Sequence, residues 1–101
     1  LERAVNFCPG PYIIPNVYVE GFLVYTNVNN AGAMRGFGVP QVIFACEVHM
    51  DRIARELGID PLELRLKNAL VDGSTMVTGE ILKKSNLTAT LEVLAERAAE
   101  S

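Results

Sequence analysis

The residues best equipped for chemistry fall between positions 27 and 41, in the run NVNNAGAMRGFGVPQ. Gly32, Gly36 and Gly38 remove three β-carbons and permit positive φ, so main-chain amides there can approach a ligand or line a concavity. Arg35 adds a forked guanidinium suited to anionic oxygens. Phe37 offers a flat face for stacking a planar ring, or equally an anchor that ties the loop to a core. The run leads directly into a helix start, where unpaired N–H groups favour negative charge. Together these groups suit a planar, oxygen-rich, anionic ligand.

Two standard glycine motifs do not apply. The order here is G-x-x-x-G-x-G, whereas the dinucleotide fingerprint runs G-x-G-x-x-G, and the GK[ST] ending of a P-loop is absent. On the glycines alone, a structural loop is a better reading than a ligand cradle. Elsewhere the reactive side chains are sparse. His49 has no partner at metal-ligand spacing and lies beside an apolar stripe, as a structural histidine does. Glu47 faces a largely apolar helix start and is expected to hold loop amides. Cys8 and Cys46 fit neither a zinc spacing nor a disulfide framework, which favours buried free thiols in a reducing, cytoplasmic compartment, with Cys46 in the core.

The elements that must position the loop can be read around it. Tyr12 to Thr26 is rich in β-branched and aromatic residues, and rough alternation in NVYVEGFLVYTN predicts one long or broken strand over 17–27. Gly21 within it marks a bulge or a close backbone approach. Pro40 suits the first turn of a helix, and Val42, Cys46, Met50, Ile53 and Leu57 recur at helical spacing behind it. The apolar stretch VIFAC is expected to be buried on all sides. Gly58 supplies a left-handed cap, and Asp60-Pro61-Leu62-Glu63 opens a second helix with Leu62, Leu66, Ala69 and Leu70 inward. Residues 71–86 are a connector, with a short extended piece near 76–82. A last helix near 88–99 places Leu91, Leu94, Ala95 and Ala98 inward, with Thr88 as a possible cap. The resulting class is α+β: one extended strand region and a glycine-rich loop, followed by about three helices. Residues 1–39 carry the strand and the loop, and 40–101 form the helical part.

Composition narrows the functions available. Of 101 residues, 50% are hydrophobic and 21% charged, which argues against disorder. The net charge of -3 and the lack of a basic stripe give no electrostatic case for nucleic acid. No run of 18 apolar residues is present to span a membrane. The chain opens on Leu1 without a signal pattern, and the strand has too few partners for a sheet, so a piece of a longer protein is expected.

The segment GAMRGFGVPQ resembles the molybdenum-cofactor loop in the large subunit of the xanthine dehydrogenase and aldehyde oxidase family. The surroundings agree in order: ERA at 2–4, GPYIIPNVYVEG at 10–21, YTN at 25–27, Glu47, Met50-Asp51, and LGIDPLELRLKNAL at 57–70. The likeness covers most of the chain and tails off after about residue 75. It implies a fragment of a molybdopterin-binding domain and an enzyme that hydroxylates a purine, another N-heterocycle or an aldehyde with oxygen from water.

The resemblance also implies roles. Gly32, Ala33, Met34, Arg35 and Gly36 would contact the molybdenum-pyranopterin, as molybdopterin or its dinucleotide, with the Arg35 backbone near the Mo oxygens. Phe37 would stack on the flat substrate, and Arg3 would bind it and stabilise charge building on its ring. Two departures touch the pocket: Met34 stands where the family commonly has Phe, and Val39 where it commonly has Gly. The general-base glutamate lies outside this chain. Iron–sulfur clusters and FAD would belong to other domains or subunits, which with the rest of the large subunit are the implied partners. Read from the residues alone, a non-enzymatic anion-binding domain and a protein-interaction module remain alternatives. Arg3 and Arg35 would then be ordinary surface arginines.

Overall fold

Four helices order the chain: α1 (Glu2–Phe7), α2 (Val39–Leu57), α3 (Pro61–Asn68) and α4 (Leu87–Ala99). They are seen in a computed structural model, which describes residues 1–100. Neighbours in sequence pack as neighbours in space, α1 on α2, α2 on α3 and α3 on α4.

α2 begins where Gly38, at φ 95, turns the chain and Pro40 occupies the first turn. It ends at Gly58 in a Schellman arrangement: Gly58 N–H donates to the Arg55 carbonyl (3.2 Å) and Ile59 N–H to that of Ala54 (3.0 Å). Only three residues, Gly58, Ile59 and Asp60, separate α2 from α3. Asp60 caps α3 by accepting from the amides of Leu62 and Glu63 at 2.9 and 3.0 Å. After α3 the chain turns extended at Ala69, where it makes an isolated antiparallel bridge with Tyr12. That bridge ties the N-terminal segment to the end of α3 through Ile13 N–H to the Asn68 carbonyl and Leu70 N–H to that of Pro11.

The expected strand over 17–27 does not form, so the class is helical rather than α+β. The described residues contain two isolated bridges, Tyr12 with Ala69 and Thr75 with Ile81, and no sheet. Residues 17–28 lie exposed except Val19, with Phe22, Leu23 and Tyr25 among them. The alternation is present in the sequence, but no neighbouring chain segment takes up its main-chain hydrogen bonds, and an unpaired strand is not stable by itself. Gly21 does mark a close approach: a β-carbon there would stand 2.8 Å from Val5 Cγ2 on α1. The extended piece expected at 76–82 is a tight reversal closed by Met76 N–H to Glu80 and Leu82 N–H to Ser74.

The core is thin. Tyr12, Ala54, Leu64, Ala69 and Leu70 are its buried hydrophobic residues. Leu64 was not expected there; it turns inward because α3 stops at Asn68 and hands Ala69 and Leu70 to the extended segment. VIFAC is not enclosed, since Phe44 keeps 71% of its surface in solvent, and of the two thiols expected to be buried Cys8 is exposed and Cys46 only partly covered. In α4, Leu94 and Ala98 face outward, and Asn86 rather than Thr88 stands at the N-cap position. An accessible surface of 8297 Å² exceeds the roughly 5,600 Å² typical of a closed 11.0 kDa domain. The radius of gyration, 15.9 Å, exceeds the roughly 13 Å of a compact chain this long in the same way. Much of the chain's apolar surface is therefore unsheltered.

Candidate functional site

The loop before α2 is built from three successive left-handed residues: Gly36 (φ 90), Phe37 (φ 51) and Gly38 (φ 95). Phe37 N–H donates to the Met34 carbonyl (2.9 Å) and Val39 N–H to the Gly36 carbonyl (3.0 Å), giving two interlocked turns. Gly36 is required twice over. Its φ disfavours any L side chain, and a β-carbon would sit 2.6 Å from Pro40 Cδ. Gly38 passes beside α1, where a β-carbon would rest 3.5 Å from that of Ala4. Gly32 has open space around it and a φ outside the left-handed range. Of the three loop glycines, the structure therefore demands two.

α1 brings Arg3 to this loop. Its guanidinium carbon lies 5.6 Å from the centroid of the Phe37 ring, within cation–π range. Two residues singled out from opposite ends of the N-terminal third thus face each other. Gly32, Ala33, Met34 and Arg35 lie exposed along the approach to the turn. Among the described residues of 32–39, only the amides of Phe37 and Val39 donate to a main-chain acceptor. The unpaired loop amides and the exposed Arg35 guanidinium are donors, which suit an anionic, oxygen-rich group better than a bare cation. Among the described residues no cluster of three His, Cys, Asp or Glu side chains has metal-binding geometry.

A second polar cluster was missed in part. Tyr12 Oη donates to both carboxylate oxygens of Glu47, at 2.7 and 2.9 Å. Arg65 Nε donates to Glu47 Oε2 at 2.7 Å, and Nη2 to the Glu47 carbonyl at 3.1 Å. Nη1 reaches Asp51 Oδ1 at 2.8 Å and the Pro61 carbonyl at 3.1 Å. Glu47 therefore binds a tyrosine and an arginine, not the loop amides expected of it. Burial, then the Glu47 hydrogen bond and charge, push the Tyr12 hydroxyl well above its ordinary pKa of 10. Arg65 loses hydration, but its bonds to Glu47 and Asp51 outweigh this and raise its pKa. Cys46 is also pushed up, first by burial and then by the neighbouring Glu47 charge. Arg65 stands among Glu63, Lys67 and Asn68 in LELRLKN, where nothing singles it out, and its partner 18 residues away is not readable from periodicity.

A largely apolar cavity of about 560 Å³ opens between residues 8–14 and α2, lined by Tyr12, Cys46, His49, Met50 and Ile53 among others. No residue of the 32–38 loop lines it. Its character is that of a packing surface, while the donors collect at the loop.

Residues 1–69 match the family model described as the molybdopterin cofactor-binding domain. This chain belongs to that family. It is 45% identical over 101 residues to the nicotinate dehydrogenase large molybdopterin subunit of Eubacterium barkeri, covering 99% of this chain and 24% of that protein. It is 54% identical over 68 residues to a probable xanthine dehydrogenase subunit of Bacillus subtilis (strain 168), covering 67% of this chain and 9% of that one. In shape it resembles the aldehyde oxidoreductase from Desulfovibrio gigas, with a TM-score of 0.75 at 35% identity over 94% of this chain and 10% of the solved one. The chain thus spans about a quarter of the length of the first relative and about a tenth of the other two. The family match contains α1, the whole loop and α2. Among the described residues no helix is long and apolar enough to cross a membrane.

Proposed function

We infer that this chain is a cofactor- and substrate-contacting part of the large subunit of a molybdenum hydroxylase acting on an N-heterocycle or an aldehyde. The family match supplies the cofactor class. The observation that carries the substrate reading is the Arg3–Phe37 pair, a cation and a flat ring 5.6 Å apart beside vacant main-chain donors.

Gly32, Ala33, Met34, Arg35 and Gly36 would hold the cofactor, their main-chain donors serving its anionic oxygens. When bound, the molybdenum-pyranopterin supplies the two-electron oxidation that introduces oxygen from water. The Phe37 face orients a planar substrate. The Arg3 guanidinium, resting over the Phe37 ring, holds negative charge on the substrate ring as it develops. The remainder of the large subunit, together with domains or subunits carrying iron–sulfur clusters and FAD, are the partners of this reading. A cytoplasmic setting accords with two free thiols.

The test is made on the full-length protein. Metal analysis is expected to find molybdenum, and Phe37→Ala to raise KM for flat heterocycles about tenfold with a smaller change in kcat. A molybdenum-free protein, or an unchanged KM, would contradict the reading.

A further inference from the structure

Arg3 and Phe37 sit on different elements, and among the described residues no main-chain hydrogen bond joins α1 to the 32–38 loop. Their separation is set by side-chain packing, Ala4 of α1 beside Gly38, and by what anchors the chain that follows α1. α1 ends in a turn closed by Gly10 N–H to the Phe7 carbonyl at 3.0 Å. Gly10, at φ 70, passes so close to α2 that a β-carbon would lie 2.9 Å from Cys46 Sγ and 3.2 Å from the Tyr12 ring. Two residues further on, Tyr12 is buried and its hydroxyl is bound by both oxygens of Glu47.

Glu47 cannot swing away, because Arg65 holds its carboxylate and its carbonyl together. Arg65 is itself held by Asp51 and the Pro61 carbonyl. The C-terminal side of α1 is thereby clamped to the middle of α2, the same helix whose first turn carries the loop. Between Glu47 and Gly38 runs a helical strut of about 13 Å. The geometry points to Tyr12 and Glu47 as positioning residues that hold Arg3 over Phe37. Neither touches the substrate; both act through the placement of α1. This rests on Arg3 and Phe37 being substrate contacts.

The experiment uses the full-length, cofactor-loaded protein and three probes: nicotinate, xanthine and benzaldehyde. kcat and KM are measured for the wild type, Arg3→Met, Tyr12→Phe and the double variant. Arg3→Met is expected to lower kcat/KM for the heterocycles about tenfold, the worth of one charged hydrogen bond, and for benzaldehyde far less. Tyr12→Phe keeps the ring and removes only the bond to Glu47. It is expected to raise heterocycle KM about threefold, with molybdenum content unchanged.

The double variant is expected to be no worse than Arg3→Met, because Tyr12 works through Arg3. Should Tyr12→Phe not fold, Glu47→Gln weakens the same bond while leaving an amide oxygen for Arg65, and enters the same cycle. Losses that multiply in the double variant would overturn the proposal. So would a fall in kcat that follows the folded fraction while KM stays fixed. If Arg3→Met leaves all three probes unaffected, the substrate reading has failed, and the positioning role falls with it.

Discussion

Replacing Gly36 by alanine tests whether the loop is shaped by its own backbone. Gly36 sits at φ 90, where an L residue costs about 1–2 kcal/mol. The new methyl would also stand 2.6 Å from Pro40 Cδ and 2.9 Å from Pro40 Cγ. A proline ring at the start of α2 is not a flexible side-chain end, so the ring or the loop must shift, at a further cost of about 1–3 kcal/mol. The total is about 3 kcal/mol. Gly32→Ala is the control within the same loop: its φ is outside the left-handed range and no heavy atom lies within 4 Å of the added carbon. There the change is expected to be neutral or to stabilise by about 0.5 kcal/mol through the unfolded state. Pulse proteolysis in urea on the full-length apo-protein reads the difference. With a slope of about 3 kcal/mol per molar for the larger full-length protein, Gly36→Ala lowers the midpoint by about 1 M and Gly32→Ala leaves it in place. Equal midpoints for the two variants would refute the claim that Gly36 is demanded by the loop's geometry. A Gly32→Ala protein that is stable but lacks molybdenum would show that Gly32 serves the ligand rather than the fold.

Two further outcomes follow from local contacts. Asp60→Ala removes two capping bonds at the start of α3 and should cost about 1 kcal/mol, seen as a lower unfolding midpoint, while Asp60→Gly costs only a few tenths. Tyr12 has a folded-state pKa raised above its ordinary 10, so its contribution to stability is present below pH 10 and is lost as pH rises beyond it. Alkaline unfolding midpoints should therefore fall above pH 10, and Tyr12→Phe should remove that component of the slope.

What was legible in the sequence was local. The Gly58 cap, the Asp60-Pro61 opening and the Pro40 start each depend on residues within one turn, and each stands where the pattern placed it. The loop was legible as a loop because glycines and a proline have few other uses at that density. Two kinds of information were not available. The 17–27 alternation is a statement about side chains, but a strand exists only when another backbone pairs with it, and no described segment does. The Tyr12–Glu47–Arg65 cluster joins residues 35 and 18 positions apart, and neither periodicity nor composition reports such a contact. The absence of enclosure around Phe44 has the same origin: a helix apolar on every side calls for neighbours on every side, and this chain supplies too few.

Phe37 is where these levels meet. An aromatic residue at φ 51 is uncommon, and holding it there costs on the order of 1–3 kcal/mol. Such a conformation persists only when its surroundings over-determine it. Here the two flanking glycines absorb the reversal, the 34–37 and 36–39 hydrogen bonds close it, Ala4 backs Gly38, and Arg3 lies over the ring. A glycine at position 37 would make the same turn without strain, so the turn alone does not account for a phenylalanine. What the phenylalanine adds is a flat, half-exposed face held beside a cation and vacant amides, and the strain is the cost of presenting it there. That strain is the physical ground on which the proposal of ligand contact at residues 32–38 stands.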